Sequence, residues 1–338
     1  MNTRKPTLNK RLTLAAAITA MAAVLSSAPY ASAATRADHH QQVVTHVKTA
    51  ATFDFAAGEA PENITVNPDG SLTLSMLGIS AGKAPELVRI TASGQSTVLV
   101  TGYAGDAITG NTRGHDGTVY YNVLSNDASR SGVWKLAPSG TPERIAALPV
   151  GAFPNGLAID PSGRTLYAAD SYKGTVWSVP AAGGPATAWL TEAALEPEAS
   201  SARPLGANGL RFHNGELWIS NLSKGTLLRV PVAADGTAGP IRVVTSGVLG
   251  IDDFNFLNGH SDVVFAALHA SNQIAVVYPD GTKKIVLTKA DGIASPTATA
   301  VRGNRLYITD SGLDEAPHDA KLQVGKINFF ALFGDPAS

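Results

Sequence analysis

One phrase, repeated along the chain, limits the folds open to it. The stretch from Phe153 to Ser171 reads FPNGLAIDPSGRTLYAADS. Two short apolar runs, Leu157 to Ile159 and Leu166 to Ala169, flank the sequence Asp160-Pro161-Ser162-Gly163. Proline presets its own φ and glycine accepts φ > 0, so a tight turn between two antiparallel strands is predicted. Variants occur as PENITVNPDGSLTLSM from Pro61, ANGLRFHNGELWISN from Ala207, IDDFNFLNGHSDVVFAALH from Ile251 and SPTATAVRGNRLYITDSG from Ser295. Each places a polar side chain ahead of its first strand: Glu62, Asn155, Asn208, Asp252 and Thr297.

From Asn155 onward these positions are about 44–53 residues apart, whereas Glu62 and Asn155 are separated by about two such units. A degenerate copy, TGNTRGHDGTVYYNVLSND from Thr109, fills the gap and makes six units. A period of about 40–50 residues with four short strands per unit predicts an all-β chain, a six-bladed β-propeller. Gly174 to Val179, Gly225 to Val230 and Asn272 to Val277 read as later strands of their blades, and Trp134, Trp177 and Trp218 as blade packing. A propeller must also close. A strand within Thr45 to Phe55 is expected, with Thr52 to Phe55 pairing beside Lys326 to Phe330 in the last blade and removing a free edge. Thr191 to Gly206 is the least regular stretch. A helical turn at Glu192 to Leu195, stopped by Pro197, would make it either a lid or a surface insertion; Gly78 to Pro85 is a second such loop.

Composition agrees with one β-rich domain. Of 338 residues 44% are hydrophobic and 16% charged, and 33 Gly and 20 Pro are spread along the chain. Net charge is −1, without the basic balance that nucleic-acid binders carry. Cysteine is absent, which excludes disulfides, thiol nucleophiles and cysteine-ligated metals. Residues 1–33 read as a secretory signal peptide: Arg4, Lys5, Lys10 and Arg11, then an apolar run from Leu12 to Leu25, then Ala31-Ser32-Ala33 with cleavage after Ala33. Residues 34–44, with His39 and His40, read as a mobile leader, and 45–338 as the propeller. Export to the periplasm or the medium is therefore expected. So are a monomer, a small-molecule substrate and no membrane partner once the leader is removed.

The innermost strands of a propeller line its channel, so residues at their starts crowd one mouth. Glu62, Asn155, Asn208 and Asp252 would bring two carboxylates and two amide carbonyls together from different blades. That donor set suits a hard divalent cation; Ca²⁺ matches it best, Mg²⁺ or Mn²⁺ less well in number, and Zn²⁺ is a further candidate. Asn and Asp also cap turns, so each has a second explanation singly; turn chemistry offers none for Glu62.

The phrases PNGLAIDPSGRTLYAADS and ANGLRFHNGELWIS, with the early Glu of PENITV, resemble the senescence-marker/gluconolactonase family of six-bladed propellers over Pro61 to Gly312. The resemblance implies a lactonase with a divalent cation in the channel, with Glu62 and Asn155 matching the first two ligands. In the fourth blade the family carries an Asp that is ligand and base, whereas this chain has Asn208; an Asp occurs one blade on, at Asp252. Asp252 is therefore the expected base. Asp253 stands next to it as an alternative, and Arg113, His115, Asp253 and Thr297 are expected substrate contacts. His115 also reads as a turn residue in His115-Asp116-Gly117.

Gly78-Ile79-Ser80-Ala81-Gly82 matches GxSxG in letters but lies in the short loop Gly78 to Pro85 of one repeat, without the strand-to-helix setting of a nucleophile elbow, and no phosphate loop is present. Ser171 and Ser311, each after an Asp, read as turn residues, and His46, His213, His260, His269 and His318 as surface or satisfied core. Three functions remain: hydrolysis of a lactone or related cyclic ester, ligand or partner binding around a structural Ca²⁺, and a strictosidine-synthase-like lyase or condensing reaction.

Overall fold

A computed structural model describes residues 42–334 of the chain; the expected signal peptide and residues 34–41 of the expected leader, with His39 and His40, lie outside them. The described residues form six four-stranded antiparallel sheets. Their first strands are Pro61–Val66, Ala107–Arg113, Pro154–Ile159, Ala207–His213, Ile251–Asn258 and Pro296–Arg302. Each touches the first strand of the blade before and the blade after, and the sixth touches the first. This closed ring is a six-bladed β-propeller, as the repeat predicts. No helix among the described residues is long and apolar enough to cross a membrane.

The apolar runs of the repeat follow from burial on both faces of each blade. Successive side chains of a strand point to opposite faces. Leu166 and Ala168 accordingly enter the core shared with the second blade, which includes Tyr120 and Val133. Tyr167 and Ala169 enter the core shared with the fourth, which includes Leu217 and Ile219. Near the axis the strands come so close that side chains are excluded. A Cβ added at Gly156 would collide with the carbonyl oxygen of Asn208, and one at Gly110 with that of Asn155. The Asn-Gly pairs of the repeat are thus packing requirements at the hub.

Polar clasps join neighbouring blades at the same level. Thr109 Oγ1 donates to the Pro154 carbonyl at 2.7 Å, Asn122 Nδ2 to Asn155 at 2.8 Å and Ser171 Oγ to Ala207 at 2.7 Å. Ser220 Oγ donates to Asp252 at 2.5 Å, Thr297 Oγ1 to Pro61 at 3.0 Å, and Ser75 Oγ to Thr109. All six donors are buried. Ser171 therefore joins two blades rather than only shaping a turn.

Closure occurs in the sixth blade, with different residues from those expected. The outer strand is Val44–Thr52, pairing antiparallel with Lys321–Ile327 so that Val44 faces Ile327 and Thr52 faces Lys321. Thr52 to Phe55 does not pair with Lys326 to Phe330, because both segments turn into helices. Asp54 caps Phe55–Ala57 by accepting from the amides of Ala56 and Ala57, and Asn328 caps Phe329–Phe333 by accepting from Ala331. The leader is also shorter than expected: Val43 and Val44 are buried in the core between the fifth and sixth blades.

Two stability outcomes follow. Gly156→Ala should cost about 1–3 kcal/mol through overpacking at the hub, read as a lower urea midpoint at unchanged slope. Asp310 ends the second strand of the sixth blade; its Oδ1 accepts from Ala294 at 2.9 Å, its Oδ2 has no partner, and burial raises its pKa to about 8. A carboxyl raised in the fold binds its proton more tightly there than in the unfolded chain. Its contribution is therefore full below the unfolded value near 4 and is lost as pH rises through about 8. The fourth blade has Asn221 at the matching position. Asp310→Asn should accordingly flatten the fall in melting temperature between pH 5 and 9; an unchanged slope would refute this account.

Candidate functional site at the channel mouth

Every first strand slips register where the polar position falls. The slips lie between Pro61 and Asn63, Ile108 and Asn111, Pro154 and Leu157, Ala207 and Leu210, Ile251 and Phe254, and Pro296 and Ala298. A bulge adds an unpaired residue and re-aims side chains. The hub position therefore carries Glu62, Thr109, Asn155, Asn208, Asp252 and Thr297 in the six blades. Thr109 is the member the sequence reading missed; aligning the degenerate second unit on its bulge would have found it.

Four of the six line one cavity of about 410 Å³: Glu62, Asn155, Asn208 and Asp252. Thr297 is expected as a substrate contact, but it is fully buried and turned away, its hydroxyl bonded to Pro61 and Thr309. Thr109 is turned likewise toward Pro154. Asp253 is not at the mouth either. It points into the layer below, where its Oδ2 accepts from Asn63 Nδ2 at 2.5 Å and Arg211 at 2.6 Å. These three residues, from the fifth, first and fourth blades, plug the channel beneath the floor. Arg113 lies at the far end of its strand, about 13 Å beyond Thr109 at ~3.3 Å per residue, in a groove with Asp69 and Pro138. His115 lies beyond it, its Nε2 3.3 Å from the Pro161 carbonyl. Neither belongs to the mouth.

The irregular stretch Thr191 to Gly206 does overhang the site. It contains the expected turn, Ala193–Leu195, and its later part brings Arg203 and Leu205 to the cavity. Arg203 grips both oxygens of Asp314 at 2.8 and 3.0 Å. Asp314 in turn meets His269 Nε2 at 3.0 Å. These contacts hold the Asp314 carboxyl down at about 2, the His269 hydrogen bond contributing most and the Arg203 charge adding to it. From the Gly78 to Pro85 loop nothing reaches the cavity; only Leu77, just before it, does.

His269 is the residue that the sequence reading set aside as surface or satisfied core. It is buried, and its Nδ1 lies 3.8 Å from Asp252 Oδ2 with no hydrogen-bond partner. In the tautomer that donates Nε2–H to Asp314, Nδ1 is left as an acceptor, closed off from solvent beside Asp252. A positional signal existed. His269 follows the second strand of its blade, as Leu77 and Leu222 follow theirs, and all three line the cavity.

Two carboxyls share the floor with no Lys or Arg among the described residues paired to either. Burial chiefly raises the Glu62 carboxyl to about 7, the charge of Asp253 adding and that of Arg203 opposing. Burial, and then the Glu62 charge, push Asp252 well above its ordinary value. Asn208 Oδ1 is buried without a partner, and Asn155 donates only through Nδ2, to Ser171 at 3.3 Å. Two desolvated carboxylates and two amide oxygens free of protein donors fit a divalent cation. Among the described residues no three His, Cys, Asp or Glu side chains gather as a metal set, so two ligands here would be amides.

No family model matches the sequence, and no curated protein matches it. Solved structures match in fold. A gluconolactonase from Xanthomonas campestris shares 15% identity at a TM-score of 0.60, over 83% of this chain and 89% of that one. The fold is that of the gluconolactonase-like propellers. Other chemistries use it too. Virginiamycin B lyase from Staphylococcus aureus matches at 12% identity and a TM-score of 0.56, over 83% of this chain and 99% of that one. The PQQ-bound aldose sugar dehydrogenase from Streptomyces coelicolor matches at 14% and 0.58, over 83% and 98%. Activity in this propeller must therefore be argued from its mouth.

The unpaired floor carboxyls give a prediction. Without metal, stability should fall as pH rises from about 4.5 through 7, since the raised Glu62 carboxyl must then ionise while buried. Ca²⁺ should raise the melting temperature, more at pH 8 than at pH 5, and release protons on binding. Equal shifts at both pH values would remove these carboxylates from the metal site.

Proposed function

We propose that the chain is an exported hydrolase of a lactone or related cyclic ester, dependent on a divalent cation at the channel mouth. The observation that carries this reading is the convergence of Glu62, Asn155, Asn208 and Asp252 from four blades on one cavity, beside a His269 whose Nδ1 has no hydrogen-bond partner. When bound, a cation held by these four side chains would polarise the ester carbonyl.

The chain's own residues divide the remaining work. Asp252 holds negative charge at the floor, and a carboxylate engaged by a cation is a weak base. The plugged position of Asp253 removes it as the alternative. His269 Nδ1 takes that role: it accepts a proton from the attacking water and returns one to the ring oxygen as the acyl–oxygen bond breaks. The products are one hydroxy acid and the regenerated imidazole. Asp314 fixes the tautomer through Nε2, and Arg203 fixes Asp314. The buried floor and the plug below it keep bulk water to one side of the reacting ester.

Purified protein assayed on a lactone panel with Ca²⁺, Mn²⁺ or Zn²⁺ should open the ring, and chelator should abolish turnover. Asp252→Asn should weaken metal binding and turnover together. His269→Gln should lower kcat by about 10²–10⁴-fold while metal affinity stays intact. Turnover by His269→Gln at the parent rate would return the base role to Asp252; absence of turnover on every lactone and metal would leave a binding module.

A further inference from the structure

We infer that the mouth selects lactones bearing an apolar substituent, an alkyl chain or aryl ring, over polyhydroxylated sugar lactones; this rests on the proposed hydrolase reading. The floor is polar, but the walls above it are not. Leu77, Tyr172, Leu222 and Leu313 line the cavity from loops of four blades, and Phe153 and Leu205 from the connections that enter two of them. Phe153 and Tyr172 meet edge to face, with ring centroids 5.1 Å apart, and form a continuous aromatic side. Tyr172 is 55% exposed, so this apolar side runs from the floor to open solvent.

The polar groups of the wall are few and partly engaged. Arg203 is committed to Asp314 and Asp314 to His269. A sugar lactone would bring several hydroxyls against leucine and aromatic surface, where the remaining nitrogens of Arg203 and the Tyr172 hydroxyl are too few to replace the water that each hydroxyl loses. An alkyl or aryl group there loses nothing polar and removes apolar surface from water on both sides. The ester seats on the floor, beside His269, and the substituent extends along Phe153 and Tyr172 toward Leu205. The cavity, about 410 Å³, falls in the range that holds small organic ligands.

Full burial of one methylene corresponds to a gain of about 4-fold in binding. For a series of γ-lactones with lengthening alkyl chains, kcat/KM should rise by about 2–4-fold per methylene until the chain leaves the cavity, mostly through KM. Gluconolactone should be a poorer substrate than the butyl-substituted γ-lactone. Leu205→Ser and Tyr172→Ser should flatten the chain-length dependence, with circular dichroism confirming the fold.

Binding is measured in parallel by calorimetry with alkyl-substituted γ-lactams, which resist hydrolysis. Tightening with chain length supports the apolar wall even if no lactone is opened, which would overturn the hydrolase reading alone. Equal affinity along the lactam series, or preference for gluconolactone in either assay, would overturn the substrate class and leave the hydrolase reading standing wherever turnover is seen.

Discussion

The polar grip between neighbouring blades at the hub is the interaction on which this molecule depends. Thr109, Asn122, Ser171, Ser220, Thr297 and Ser75 each donate to a carbonyl of a neighbouring first strand, at the level where the hub is narrowest. Those carbonyls are buried and lie in bulged segments, where regular sheet pairing is interrupted. An unmade bond there would cost about 1–3 kcal/mol per group. The clasps remove that cost and fix the rotation of one blade against the next. With no cysteine in the chain, they and the pairing of Val44–Thr52 with Lys321–Ile327 hold the ring closed.

The same bulges that require clasps create the site. A regular strand would send alternate side chains into the inter-blade cores on either side. The slipped register instead frees one residue per blade to face the axis, and the glycine that follows in the second, third and fourth blades lets the next backbone approach. Where the freed residue is Thr, its hydroxyl turns sideways and becomes a clasp. Where it is Glu, Asn or Asp, the longer or more highly charged side chain reaches the mouth. The asymmetry of the site thus comes from side-chain chemistry at equivalent backbone positions: two threonines serve the ring, and four oxygen donors serve the cavity.

The layers of the channel separate two carboxylates that are adjacent in sequence. Asp252 faces the mouth, and Asp253 faces the plug, neutralised by Arg211 and bonded to Asn63. The lower carboxyl is paired with an arginine, and the two of the upper layer are not. That buried pair, Glu62 and Asp252, is costly for stability when ionised and useful for holding a cation. His269 stands at the edge of that pair, its second nitrogen secured by the rim.

The sequence by itself determined the architecture. A hairpin phrase repeated at about 45 residues, with apolar runs suited to burial on both faces, leaves little besides a six-unit propeller. It also determined the hub set of Glu62, Asn155, Asn208 and Asp252, because equivalent positions in a rotationally repeated fold must meet. The tertiary structure decided everything that depends on which way a side chain turns. Thr297 faces a neighbour's carbonyl, Asp253 faces down the channel, and Arg113 and His115 lie at the far end of a strand, although all four are polar residues near a repeat motif. His269 became visible only when the rim loops placed Asp314 on one of its nitrogens and the fifth-blade bulge placed Asp252 near the other. The closing strands were legible as a pair, but their register was set by two local caps, Asp54 and Asn328. Periodicity encodes which blade a residue belongs to; layer and rotamer are set by bulges, caps and contacts between blades, which no local pattern specifies.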